Sequence, residues 1–142
     1  MNRNEMMIKF MAQSINESFA RVAVAAFLAP LNPSVEELSD VKTAVAEAVT
    51  NALIHGYEED PQKEIELRCM TQDKDVHIEV IDTGKGIPDI EKAREPFYTT
   101  RPEWENAGMG IAMMEAFMDS VVIESKENEG TRVIMTKRIG TV

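Results

Sequence analysis

Hydrophobic and polar residues change their spacing several times along the chain, and each change predicts a different element. Alternation of apolar and polar positions predicts strands, whereas apolar positions three or four residues apart predict helices. The predicted strands are Asn4–Met11, Lys63–Thr71, Val76–Asp82, Ser120–Ser125 and Thr131–Arg138. The predicted helices run from Ser14 or Asn16 to about Ala29, from Ser34 to Gly56, and from Met109 to Met118. This order predicts an α+β fold with helices on one face of a largely antiparallel sheet.

The first two helices also carry predictions about their side chains. The first helix is predicted to bury an apolar stripe and to carry Arg21 on its opposite side. The stripe consists of Phe19, Val22, Ala23, Ala26 and Phe27. In the second helix, Ser34 and Glu37 form a capping box, in which each side chain satisfies a free backbone donor of the other residue. Gly56 is predicted to end that helix.

The second helix carries polar residues inside an apolar pattern. Glu47, Asn51 and His55 follow one another at i, i+4 and i+8, beside a buried stripe that includes Ala48 and Ala52. Asparagine is a weak helix former, so its place in the interior calls for a packing reason or a chemical one. Taken alone, Glu47 and Asn51 are more simply interpreted as solvated helix residues. His55 is predicted to cap or pack near the end of the helix rather than to react.

Composition and charge narrow the classes of function. The 142 residues are 44% hydrophobic, which predicts a single domain with one core over residues 1–142. The formal net charge of −10 argues against direct binding of nucleic acid. Cys69 is the only cysteine, so no internal disulfide is expected and the cytoplasm is the expected compartment. The longest apolar run, Val22–Leu31, is about half as long as a membrane-spanning helix, so no membrane association is expected.

Three clusters of polar residues and glycines together make the pattern of a nucleotide site. They are Glu47 with Asn51, the segment Asp82–Ile87, and Gly108–Gly110 with Gly130 and Thr131 further along the chain. On these motifs the chain resembles the GHKL superfamily of ATPases and kinases, which includes gyrase, heat-shock chaperones, mismatch-repair proteins and histidine kinases. The motifs Glu47–Ala52, Phe97–Pro102 and Gly108–Gly110 resemble the anti-sigma factor serine kinases within it, especially those that act on sigma F in endospore formers.

The resemblance implies a fold and a function. The fold is the GHKL (Bergerat) ATP-binding fold, a two-layer sandwich of a mostly antiparallel mixed sheet with about three helices on one face. The function is that of an anti-sigma factor that inhibits a sigma F type of sigma factor when ATP is bound. It is also that of a serine protein kinase that inactivates an anti-anti-sigma factor by phosphorylation. ATP and Mg²⁺ are the implied cofactors.

The resemblance also assigns roles at the adenine and metal ends of the site. Asn51 is the implied Mg²⁺ ligand, as a carboxamide oxygen on a fixed helix, and Glu47 is the implied general base for the acceptor serine. A carboxylate at Asp82 can accept a hydrogen bond from the exocyclic amine of adenine, which guanine lacks at that edge. The remaining residues assigned to this end are Gly84, Gly86 and Ile87, beside the base and sugar, and Thr131, which supports Asp82.

The phosphates are assigned to a helix start and to a lid. Gly108, Met109 and Gly110 open a helix, whose free N–H groups can bind phosphate oxygens. The segment Pro96–Ala107 resembles the lid of the family, with Thr99, Thr100 and Arg101 as candidates for phosphate contact. Asn106 stands where the family carries a basic residue, and the sequence leaves open whether Arg101 replaces it.

The implied partners are the sigma factor, the anti-anti-sigma factor and a second copy of the chain. Arg21 and Glu17 resemble the partner-binding position of the family, and the N-terminal strand resembles a segment that pairs between protomers. Arg21 is otherwise an ordinary exposed arginine. Three alternatives stay open: the equivalent kinase of the general-stress sigma factor, a non-catalytic nucleotide-dependent sigma-binding module, and an ATPase of the gyrase and chaperone group.

Overall fold

The computed structural model describes residues 2–57, 60, 62–87, 89–90, 94–95 and 110–140. Five strands are present in this part of the chain: β1 (Arg3–Met11), β2 (Glu64–Gln72), β3 (Asp75–Asp82), β4 (Ser120–Lys126) and β5 (Gly130–Arg138). Three α-helices accompany them: α1 (Ile15–Leu28), α2 (Val35–Asn51) and α3 (Gly110–Phe117). A 3₁₀ turn, Ala29–Leu31, follows α1, and a π-helical turn, Ala52–Gly56, follows α2.

The five strands form one sheet in the order β1-β2-β3-β5-β4, and every neighbouring pair is antiparallel. The predicted α+β fold and the five predicted strands are confirmed, with strand ends that differ by one residue. One row of paired residues crosses the whole sheet and faces the helices, and it consists of Ile8, Leu67, Val80, Val133 and Ile123. The core lies between this face and the three helices.

The buried face of α1 differs from the predicted one. The fully buried residues of α1 are Ala20, Val24 and Leu28, at i, i+4 and i+8. The predicted stripe was therefore wrong in part, since Phe19 is 52% exposed and Val22 is 66% exposed. Apolar residues occupy most of the circumference of this helix, so their spacing did not identify one face. Helix α1 packs on α2, and Phe19 and Val22 stay on its outer side.

The other residues of the predicted stripe of α1 differ in their exposure to solvent. Phe27 packs against the core while partly exposed, Ala23 is half-buried, and Ala26 is exposed. Ser14 occupies the N-cap position of α1 without a side-chain cap hydrogen bond. Asn16 instead donates a hydrogen bond of 2.8 Å from Nδ2 to the carbonyl oxygen of Met11, which joins the helix to the end of β1.

Helix α2 begins as predicted. Ser34 Oγ accepts a hydrogen bond from the Glu37 backbone N–H at 3.0 Å, and Glu37 Oε1 accepts one from the Ser34 backbone N–H at 2.9 Å. Its buried residues are Val41, Ala44, Val45, Ala48 and Val49. The helical path continues through the π-helical turn and ends at Gly56, with an i to i+5 hydrogen bond of 2.9 Å from Tyr57 N–H to the Ala52 carbonyl.

Cys69 is free and fully buried on β2, and burial raises the pKa of its thiol to about 12, so it serves as a small apolar core residue. Within the described ranges, no helix combines the length and apolar character that crossing a membrane requires.

Candidate functional site

The polar face of α2 meets the start of α3 at Asn51. The packing of Val45, Ala48 and Val49 into the core leaves Glu47 and Asn51 half-buried on the adjacent side of the helix. A Cβ at Gly110 would lie 2.9 Å from both Nδ2 and Oδ1 of Asn51, which is closer than real Cβ atoms approach. The absence of a side chain at Gly110 thus lets the first residue of α3 approach the Asn51 carboxamide. The first and third sequence clusters come together at this contact.

Asp82 ends β3 as a buried carboxylate. It is 7% exposed, its Oδ1 accepts a hydrogen bond of 2.9 Å from the Gly84 backbone N–H, and the Thr131 backbone N–H also donates to its carboxylate. Burial raises the pKa of Asp82 to about 6, and the two backbone donors lower it only in part. A buried carboxylate in this position is an acceptor that a ligand with an N–H donor can use.

The loop after Asp82 packs tightly against the turn between β4 and β5. Gly86 has φ +77°, and a Cβ there would collide with the Lys126 carbonyl. Gly130 has φ +111°, and a Cβ there would collide with the Asp82 carbonyl. The Asn128 backbone N–H donates to the Lys85 carbonyl at 2.6 Å. Both glycines are therefore needed for the loop and the turn to approach each other.

Ser125 is a residue of this region that the sequence reasoning missed. Its Oγ accepts a hydrogen bond of 2.7 Å from the Ile87 backbone N–H, and lies 2.8 Å from Thr131 Oγ1 and 3.1 Å from the Gly130 carbonyl oxygen. One hydroxyl thus holds the end of the glycine loop to the threonine beside Asp82. The signal that could have found it is the register of the last hairpin, in which Ser125 pairs with Thr131.

Tyr57 is a second residue that was missed. It is 7% exposed, and its hydroxyl donates to the Glu64 carbonyl at 2.7 Å and accepts from the Thr83 backbone N–H at 2.7 Å. Tyr57 therefore ties the first residue after Asp82 to the start of β2. No pattern in the sequence indicates this contact, because it depends on how the π-helical turn directs the ring.

Glu47 lies in an environment that favours its neutral form. Burial raises the pKa of Glu47, and the negative charge of Glu17 on α1 raises it further. The Glu17 carboxylate is fixed next to this part of α2, since Thr50 Oγ1 donates a hydrogen bond of 2.6 Å to Glu17 Oε2. A half-buried carboxylate with a raised pKa, on the polar side of α2, is suited to accepting a proton.

Comparisons with known proteins identify the family of the chain. The family model described as "Histidine kinase-like ATPase domain" matches residues 11–137. The chain belongs to this family. It is 55% identical over 137 residues to the anti-sigma F factor of Geobacillus kaustophilus, a match that covers 96% of this chain and 94% of the relative. It is 51% identical over 138 residues to the anti-sigma F factor of Clostridium perfringens strain SM101, covering 97% and 99%. The resemblance seen in the motifs is confirmed.

Solved structures show the same fold. A crystal structure of the RsbU and RsbW domains of a Mycobacterium tuberculosis protein superposes with a TM-score of 0.70 at 23% identity, covering 96% of this chain and 32% of that longer chain. The catalytic domain of the histidine kinase ThkA superposes with a TM-score of 0.60 at 17% identity, covering 98% and 97%. The predicted GHKL-type fold is thereby confirmed.

The structure brings part of the family's expected site together. Asn51 and Gly110 touch, and Asp82, Gly84, Gly86, Ile87 and Thr131 form one connected group through the contacts described above. Arg21 and Glu17 lie on α1, and Glu17 reaches α2. The other assigned residues lie outside the described residues, and they are Thr99, Thr100, Arg101, Asn106, Gly108 and Met109, together with most of the predicted lid. Their roles stay predictions.

Proposed function

We propose that this chain is an anti-sigma factor that binds a sigma F type of sigma factor and, as an ATP-dependent serine protein kinase, phosphorylates the anti-anti-sigma factor. The name of the relatives, anti-sigma F factor, supports the sigma partner. The observation that carries the kinase is the shared α2 face of Glu47 and Asn51, which the start of α3 approaches at Gly110. Membership of a histidine kinase-like ATPase family supports ATP as the nucleotide.

The residues around Asp82 fit an adenine ring. The carboxylate is buried, and its described donors are two backbone N–H groups, so an exocyclic amine can add a further hydrogen bond. Guanine presents a carbonyl oxygen at that edge, and two acceptors facing each other in a buried place are costly. Gly86 has no side chain, so the loop before Ile87 can lie close to the turn between β4 and β5. Ser125 holds this loop by its hydrogen bond with the Ile87 backbone N–H.

Asn51 fits a Mg²⁺ ion that is held mainly by phosphate oxygens. In the described part of the chain, no group of three or more His, Cys, Asp or Glu residues could hold a metal. A single carboxamide oxygen is nonetheless sufficient, because Mg²⁺ in phosphate sites takes one or two protein ligands and keeps several waters. When bound, Mg²⁺ would neutralise charge on the phosphate oxygens. Gly110, with Gly108 and Met109 before it, would then direct backbone N–H groups to those oxygens.

Glu47 would act on the acceptor serine. The serine hydroxyl oxygen forms a bond to the γ-phosphorus of ATP, the bond from that phosphorus to the β–γ bridging oxygen breaks, and ADP leaves. The hydroxyl proton passes to the Glu47 carboxylate, which positions the hydroxyl before transfer. The raised pKa of Glu47 makes it a stronger proton acceptor than an ordinary exposed glutamate, while its half-buried position keeps it within reach of a docked partner.

The outer face of α1 supports the proposed protein partners. Ile15, Phe19 and Val22 follow one line of the helix and are 76%, 52% and 66% exposed. The Nε atom of Arg21 is buried, and it has no hydrogen-bond acceptor among the described residues. Strand β1 lies at the edge of the sheet, where an unpaired edge can accept a second strand. We therefore include a homodimer in the proposal, with the line of Ile15, Phe19 and Val22 and the edge of β1 at its interface. Arg21 and Glu17 are left for contact with the sigma and anti-anti-sigma proteins.

The decisive test of this proposal is phosphotransfer. The protein is incubated with γ-labelled ATP, Mg²⁺ and a candidate anti-anti-sigma protein, and labelled serine on that protein is measured by mass spectrometry. ATP-dependent co-purification with a sigma F protein is measured in parallel. ATP binding and sigma binding without serine phosphate would contradict the kinase and favour a non-catalytic sigma-binding module. Hydrolysis of ATP without any acceptor would favour an ATPase of the gyrase and chaperone group.

The role of Asn51 has a test of its own. Asn51→Ala removes the carboxamide without disturbing the buried face of α2, so the fold is expected to persist. ATP affinity in the presence of Mg²⁺ is expected to fall by about tenfold or more, while affinity in EDTA stays close to that of the wild type. Isothermal titration calorimetry in the two buffers measures this difference. Equal losses in both buffers would remove Asn51 as a metal ligand.

A further inference from the structure

One hydrogen bond connects α1, the proposed partner-binding helix, to the turn of α2 that carries the proposed catalytic residues. Thr50 Oγ1 donates to Glu17 Oε2 at 2.6 Å, across a separation of 33 residues in the sequence. Thr50 follows Glu47 by three residues and precedes Asn51 by one, so all three lie within one helical turn of one another. The bond is partly buried, and it therefore fixes the Glu17 carboxylate next to that turn.

The charge of Glu17 acts on Glu47. Burial is the larger cause of the raised pKa of Glu47, and Glu17 is the charged group that raises it further. Arg21 is the other charged residue of α1 near this point, and its Nη2 binds Ser18 Oγ at 3.2 Å. The one charged residue of α3 is Glu115, which pairs with Arg94 at 3.9 Å. In the described part of the chain, Glu17 is thus the charged side chain that acts on Glu47, and it lies on the helix where a partner is proposed to dock.

We propose that Glu17 is a positioning residue that links partner docking on α1 to the proposed base: Thr50 holds the Glu17 carboxylate beside Glu47, and a partner that takes up Glu17 changes the charge that Glu47 faces. This inference rests on the proposed role of Glu47 as the base. A cationic or N–H group of the partner that binds Glu17 would offset its negative charge. The ionised form of Glu47 would then be favoured at the moment when the acceptor serine arrives.

The charge part of the inference is tested in the free protein, without nucleotide or partner. The pKa of Glu47 is measured by carboxyl-detected NMR in the wild type, Glu17→Gln, Thr50→Val and Thr50→Ser. The pKa of Glu47 is expected to fall in Glu17→Gln and, by less, in Thr50→Val, which releases the Glu17 carboxylate. Thr50→Ser keeps the hydroxyl and is expected to restore the wild-type value. The matched control is Glu36→Gln, an exposed glutamate in the first turn of α2, which should leave Glu47 unchanged.

The second measurement uses phosphotransfer under saturating ATP, with kcat/KM for the partner recorded against pH, because kcat/KM reports the pKa values of the enzyme before the partner binds. Glu17→Gln is expected to move the acid limb of the kcat/KM profile to lower pH and to raise KM for the partner. An acid limb and a Glu47 pKa that are both unchanged in Glu17→Gln would overturn the inference. If the wild type shows no phosphotransfer, the proposed function fails, whereas the NMR titration still decides whether Glu17 controls the charge of Glu47.

Discussion

At the scale of single residues, Asp82 shows why the candidate site costs stability. Its carboxyl pKa of about 6 in the folded chain exceeds the ordinary value of about 3.9. The folded protein therefore holds this proton more tightly than the unfolded chain, and the free energy of unfolding decreases as pH rises through the range between these two values. Above pH 6 the buried charge opposes folding, and an amine donor from a ligand would offset that opposition.

Asp82→Asn tests this account at the residue itself. The free energy of unfolding of the wild type, relative to Asp82→Asn, is expected to drop by about 1 to 3 kcal/mol between pH 4.5 and pH 7.5. Urea denaturation at both pH values measures it, and the other carboxyl groups cancel in the comparison. The variant is also expected to lose most of its preference for ATP over GTP. A constant stability difference across this range would show that Asp82 is not desolvated.

The sequence predicted Asp82 and, through the family resemblance, the supporting Thr131, but not Ser125 or Tyr57. A carboxylate followed by glycines after an apolar strand is a local pattern, so it can be seen without the fold. Ser125 is 43 positions further along the chain, and it reaches Ile87 and Thr131 only because the register of β5 on β3 and β4 places them together. Tyr57 depends in the same way on the direction of a π-helical turn.

At the scale of elements, the approach of α3 to α2 depends on Gly110. Gly110→Ala places a methyl group against the Asn51 carboxamide, at a calculated distance of 2.9 Å. The short Asn51 side chain can turn away from the added methyl group, and Gly110 is the first residue of α3, so the exchange leaves the interior of the helix unchanged. The variant is therefore expected to be as stable as the wild type but to bind ATP with Mg²⁺ about tenfold or more weakly. Thermal unfolding and calorimetry measure the two effects, and unchanged ATP affinity would contradict the contact.

Helix α1 is the element on which the prediction from sequence was least accurate. Its apolar residues surround the axis, so packing against α2 and the sheet determines that Ala20, Val24 and Leu28 are the buried ones. The local spacing of residues carries no information about that packing. The same property explains the exposed line of Ile15, Phe19 and Val22. A helix that is apolar on nearly all sides needs a second surface to cover it.

Val22→Glu tests whether a second copy of the chain covers that line. A charge in the proposed interface is expected to weaken the homodimer by about tenfold or more. The matched control is Val35→Glu, because Val35 is 88% exposed at the start of α2, away from this face. Sedimentation equilibrium measures both variants. Equal dimerisation of Val22→Glu and the wild type would remove the α1 face from the interface, and a monomeric wild type would remove the dimer altogether.

At the scale of the whole molecule, the candidate site is assembled from elements that are distant in the sequence. Asp82 comes from β3, Thr131 from β5, Ser125 from β4, and Gly110 meets Asn51 where α3 reaches α2. The order of elements and the α+β class could be predicted because strands and helices have distinct periods. The relative placement of the clusters could not be derived from periods alone, and the family resemblance supplied it. The contacts of the structure connect the residues within two groups, Asn51 with Gly110, and Asp82 with the loop and turn around it.

In the proposed mechanism, Glu47 accepts a proton from an acceptor serine beside ATP, which the rest of this site holds. The most direct measurement compares the wild type with Glu47→Ala in single-turnover phosphotransfer to the anti-anti-sigma protein, with ATP affinity measured on the same samples. The predicted result is transfer slower by a factor on the order of 10² to 10⁴, with ATP affinity unchanged. Transfer at a near-normal rate in Glu47→Ala would contradict the claim.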